Sequence, residues 1–125
     1  MSPAGASSRS RAEPLLDDEA MGALERLMGR AELAALVSRG MESYQGYCDR
    51  MVAPGVNAVD IYREAHKLKG SSGTLGLCAI CALAGQIETL CTDSRPVTDL
   101  VARLRRTLAA TQAELVLHGL LPVPG

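Results

Sequence analysis

Ile61, Ala65, Leu68, Ser72 and Leu75 recur at i, i+4, i+7, i+11 and i+14. That period belongs to a helix with one small, apolar, buried face. The same rhythm returns in the flanking stretches, and few segments alternate β-branched residues every second position, so a sheet is not expected. Phe and Trp are absent and only three tyrosines occur, while 47% of the 125 residues are apolar. A core must then be built from Leu, Ala, Val, Met and Ile, which suits helices packed on helices. The length is that of one domain.

Residues 1 to 14 are rich in Ser, Ala, Gly, Pro and Arg, show no periodicity, and are expected to form a disordered tail. Asp17 is placed to cap a first helix, with Asp18 and Glu19 in the first turn, where the helix dipole favours negative charge. Leu16 and Met21 fit a hydrophobic staple. Met21, Leu24, Leu27 and Met28 are its expected inner face, and Gly29 its stop. A second helix is expected over 31–52, on Leu33, Val37, Tyr44, Tyr47, Cys48 and Met51. Gly40 and Gly46 weaken it, and a bend or break there is expected. Asn57 caps the third helix, which ends near Gly76. A fourth, 78–92, buries Ile80, Leu83, Ala84, Ile87 and Leu90. A fifth, 97–118, uses Val97, Leu100, Leu104, Leu108 and Leu115, and 119–125 is a flexible end. Short connections make neighbours antiparallel. The predicted fold is all-α: an up-and-down antiparallel four-helix bundle over 15–118, with a short additional N-terminal helix.

The third helix has a second face. His66, Lys69, Gly70 and Gly73 fall opposite the apolar stripe, so the histidine points to water. Each glycine inside a helix costs about 1 kcal/mol relative to alanine. Two of them beside a histidine describe a surface kept bare for the approach of something large.

The run His66-x-Leu68-Lys69-Gly70-Ser71-Ser72, followed by Gly76, resembles the histidine phosphotransfer (HPt) domain of multistep phosphorelays. The resemblance implies that His66 is phosphorylated, that Lys69 stabilises the phosphate and that Gly70 permits close docking. It implies receiver domains and a hybrid sensor kinase as partners. On the residues themselves, Gly73 continues the clear path and Lys67, rotated by about 100 degrees, steers an acidic partner. Ser71 bonds locally, and Ser72 lies on the buried stripe. The family often shows a polar side chain on the next helix near the histidine. Gln86 or Glu88 fits, and Gln86 is preferred because a carboxylate beside phosphate repels it.

A net charge of −1 argues against a general nucleic-acid binder. No apolar run is long enough to span a membrane and no signal peptide is evident, so a cytoplasmic location is expected. The chain has no Gly-x-x-x-x-Gly-Lys-Ser/Thr run, so a phosphoryl group must come from another protein. No cofactor or metal is expected. Cys78-Ala-Ile-Cys81 has metal or redox spacing, but four converging ligands are not evident and no strand precedes it, so core packing is the better reading. Cys48 and Cys91 are read as reduced thiols too. His118 has only a last-turn dipole role. Three functions fit such a chain: a stand-alone phosphotransfer protein, a helical module that binds receivers without transfer, and the histidine helix of a sensor kinase. The third usually has an acidic residue after its histidine and a proline soon after; here Lys67 follows and no proline occurs before Pro96. One chain supplies all four bundle helices, so a monomer is expected.

Overall fold

The computed structural model describes residues 14–124. Apart from Pro14, the expected tail lies outside them, as does Gly125. Asp17 Oδ1 accepts from Ala20 N at 3.0 Å, which starts α1 (Asp18–Met28). Leu16 and Met21 on either side of that cap are buried together in the core. Leu27, expected inside, is 81% exposed. An eleven-residue helix lying on one end of a bundle has too narrow a contact to bury all four apolar positions.

Gly29, at φ 89°, is the single residue between α1 and α2 (Arg30–Met51). Contrary to expectation, α2 runs unbroken through Gly40 and Gly46. At Gly40 a Cβ would stand 3.1 Å from the Tyr44 hydroxyl and 3.2 Å from Leu75. This glycine lets α3 come close and does not loosen α2. Tyr44, fully buried, completes the contact by a 2.7 Å hydrogen bond with Ser71 Oγ. Burial pushes the Tyr44 hydroxyl up, against the opposing effect of that bond, so it stays protonated.

Asn57 accepts from Asp60 N at 2.9 Å and opens α3 (Ala58–Thr74). Ala65, Leu68 and Ser72 are buried, as their spacing requires, with Leu75 just beyond the helix. Burying a side chain such as Leu68 contributes roughly 1.5–3 kcal/mol. Ser72 Oγ satisfies itself on Leu68 O at 2.7 Å. Gly76, at φ 77°, ends the helix with Gly76 N bonded to Gly73 O and Leu77 N to Ser72 O. Asp17 N also bonds Gly76 O at 2.8 Å, which ties the entry of α1 to the α3–α4 turn.

α4 (Cys78–Thr92) and α5 (Thr98–Leu117) complete the bundle. α3 and α4 each pack on their sequence neighbours, α5 returns to α2, and α1 lies on α2. The architecture is therefore an all-α helical bundle, with no strand among the described residues. The core holds Met41 and Val101 beside the expected residues, and Leu90 and Leu100 sit at its edge. The chain past α5 stays attached through residue 121: Leu120 is buried and bonded to Leu115 O, and Leu121 packs on the core.

Two positions invite stabilisation. α4 ends with Ser94 at φ 55°, Ser94 N on Cys91 O and Arg95 N on Leu90 O. This is the geometry glycine fills without strain. Ser94→Gly is expected to raise stability by about 1 kcal/mol, read as a higher urea midpoint at unchanged slope. Thr111 Oγ1 is buried with no hydrogen-bond partner. Thr111→Val keeps the shape and removes the stranded hydroxyl, so a gain of about 1 kcal/mol is expected by the same measurement.

Candidate functional site

His66 stands near the middle of α3, and its side chain is 64% exposed. The buried stripe behind it fixes this orientation, because Ala65 and Leu68 can only face inward. Tyr62, one turn earlier, lies almost parallel to the imidazole, with 5.9 Å between ring centres and 8° between planes. Gly70 lies one turn later, and a Cβ there would meet nothing within 4 Å. The bare patch beside the histidine is real at this position.

Gly73 is exposed, one turn beyond Lys69. A Cβ there would stand 3.2 Å from Cys81 Sγ, so this glycine also borders α4. Lys67 is exposed and Ser71 is engaged with Tyr44. Lys69 extends across the seam to α4, where its stem passes Gly85; a Cβ there would sit in ordinary contact with it, at 3.6 Å.

The polar partner on α4 is Glu88, not Gln86. Gln86 is exposed. One oxygen of Glu88 lies 2.7 Å from His66 Nδ1 and the other 2.7 Å from Lys69 Nζ. The signal was Gly85: residue 88 lies three positions on and shares its face, whereas 86 turns about 100 degrees away. The objection to a carboxylate fails because Glu88 grips the nitrogen on one side of the ring and Lys69 compensates its charge.

The Glu88 side chain is only 9% exposed. Burial pushes its carboxyl up, but the hydrogen bonds from Lys69 and His66 outweigh this and hold it below the usual range. The hydrogen bond to Glu88, then its charge, raises Lys69 above the usual lysine range. Near neutrality Glu88 is thus ionised and can only accept. The proton of the pair therefore resides on His66 Nδ1, and in the neutral ring Nε2 carries the lone pair. The folded value of Glu88 is lowered, so its contribution to stability is present above the ordinary glutamate range and is lost as pH falls through the lowered value. The Lys69 contribution is present below the ordinary lysine range and is lost as pH rises through the raised one.

Cys48 and Cys91 are buried, whereas Cys78 and Cys81 are half-buried. No group of three His, Cys, Asp or Glu able to hold a metal occurs among the described residues. His118 lies just past α5, 3.5 Å from Glu114. No helix among the described residues is long and apolar enough to cross a membrane.

Fold and site together define a helical bundle that displays one supported histidine beside a glycine. The family model of the Hpt domain matches residues 11–114. The chain belongs to the Hpt domain family, whose role is histidine phosphotransfer in phosphorelays through interaction with receiver domains. Neither the curated proteins nor the solved structures give a significant match.

Proposed function

We propose that this protein accepts a phosphoryl group on His66 Nε2 from the aspartyl phosphate of a receiver domain and passes it to the aspartate of another. The observation that carries this reading is the 2.7 Å contact between His66 Nδ1 and an ionised Glu88 on an otherwise exposed ring. The Nε2 lone pair attacks phosphorus, the P–N bond forms as the P–O bond breaks, and the donor aspartate leaves as a carboxylate. The imidazole gains positive charge, and Glu88, holding Nδ1–H, stabilises it as the orienting acid does in a catalytic triad. Lys69, close by, exchanges Glu88 for a phosphoryl oxygen and offsets its charge. Return of the group to a second receiver reverses the sequence. Gly70 supplies the clearance, and Gly73, Lys67, Ser71 and the exposed Gln86 are assigned to partner docking.

The protein is read as a cytoplasmic monomer of one domain over 15–118, fed by a hybrid sensor kinase and delivering to a response regulator. It has no ATP-dependent kinase activity of its own. The second reading is a module that binds receivers without transfer. Incubation with a labelled phosphoryl-receiver domain separates the two: label that moves to this chain, labile in acid and stable in alkali, is expected. A stable complex in which the receiver keeps its label would establish the binding module instead.

Gly70→Gln tests the clearance. It is expected to preserve the fold, since it replaces a helical glycine in open space. Transfer from the receiver should slow by about ten- to a hundredfold, because small displacements of reacting groups are expensive. Unchanged single-turnover rates would remove the docking role of this position.

A further inference from the structure

The geometry points to a thiol modification site, the Cys78–Cys81 dithiol, which closes to a disulfide in exchange with glutathione disulfide and thereby loosens the His66–Glu88–Lys69 clamp. The transfer part of this inference rests on the reading proposed above.

The two cysteines occupy the first and fourth positions of α4, and both are half-buried, unlike Cys48 and Cys91. Positions three apart in a helix have Cα atoms about 5 Å apart, inside the range that a disulfide spans. Their Cβ atoms stand about 5–6 Å apart, slightly more than a relaxed disulfide allows. Closure must therefore pull on the first turn of α4. That turn is packed in the core through Leu77, Ala79 and Ile80, with Leu77 N on Ser72 O and Cys81 N on Leu77 O, so the pull is passed to the α3–α4 seam. A strained short bridge is also readily reduced, which suits a reversible modification.

Cys81 is not an isolated thiol. Its Sγ donates to Lys69 O at 3.5 Å and stands against Gly73. Cys81, Gly85 and Glu88 recur at i, i+4 and i+7 along α4, and each meets the same stretch of α3. Cys81 touches Lys69 at its backbone, Gly85 lies along its stem, and Glu88 holds its ammonium. Turning Cys81 towards Cys78 withdraws Sγ from Lys69 O and shifts the α4 face that carries Glu88.

The exchange balances. The Cys78 thiolate attacks glutathione disulfide and expels one glutathione thiolate. The Cys81 thiolate then attacks the Cys78 sulfur, forms the intramolecular bond and expels the second. The two cysteine protons pass to the two released thiolates, and the two electrons reside in two molecules of glutathione.

The full chain, equilibrated in glutathione redox buffers, alkylated and analysed by mass spectrometry, tests the site. Loss of two hydrogens confined to Cys78 and Cys81, reversed by dithiothreitol and absent in Cys78→Ser and Cys81→Ser, is expected. A glutathione adduct as the end product, or no change, overturns the pair. The His66 ring proton resonances should differ between the reduced and oxidised forms; identical resonances overturn the coupling. Labelling of His66 by phosphoramidate should fall about fivefold or more on oxidation, the usual range for coupled sites, and Cys81→Ser should label at one rate in both buffers. Equal labelling of the two forms overturns the functional consequence and leaves the phosphotransfer reading intact. No labelling of the reduced protein overturns that reading, and the resonances then decide the coupling alone.

Discussion

The His66→Gln protein is expected to fold as the parent does and to take up no phosphoryl group from any receiver domain. The fold should survive because the side chain is mostly exposed. Its core neighbours on α3 are untouched, and a glutamine amide can donate to Glu88 much as Nδ1–H does. An amide nitrogen has no available lone pair, so the nucleophile is lost outright. Circular dichroism and the urea midpoint check the first half, with a shift within about 0.5 kcal/mol, usual for surface positions. Gel transfer of labelled phosphate checks the second. Acid-labile label retained on the variant would move the acceptor elsewhere, His118 being the only other histidine in the chain.

The second large effect is expected at Glu88. In Glu88→Gln the side-chain oxygen still accepts from His66 Nδ1, but the amide nitrogen then faces the Lys69 ammonium. Donor meets donor, so the bridge breaks on the lysine side, and the ring loses the negative charge that stabilises its cationic form. Transfer to His66 should slow by about ten- to a hundredfold, the effect of losing a hydrogen bond to a charged partner. The stability profile changes with it. The parent loses the Glu88 contribution as acid titrates the carboxyl through its lowered folded value, and the variant has no such group. Its urea midpoint should accordingly vary less with pH across the acid limb. Parental transfer rates in Glu88→Gln would show that the carboxylate only packs; an unchanged acid limb would show that it is not ionised against its two partners.

Much of this bundle is legible from residue spacing. The caps at Asp17 and Asn57 and the inward set on α3 follow from hydrogen-bonding capacity and helical period. So does the outward direction of His66, since Ala65 and Leu68 leave it no other. What misled was local reasoning about residues whose surroundings come from another helix. Gly40 reads as a helix breaker by propensity, yet α3 packs against it. Gly73 reads as open surface and is exposed, but its contact with Cys81 on α4 has no local signal. Leu27 reads as core, and nothing in α1 alone reveals that the bundle end is too small to cover it. Charge against phosphate alone points to Gln86, but Lys69 compensates the carboxylate of Glu88 and makes it the partner. Tyr62, stacked on the imidazole, carried no warning beyond its place one turn before the histidine.

His66 is a single ring with a single bare glycine beside it. Two folded guests cannot share so small an opening, so in the transfer proposed above donor and acceptor visit in turn, each leaving before the other arrives. Traffic through such a station would follow double-displacement kinetics.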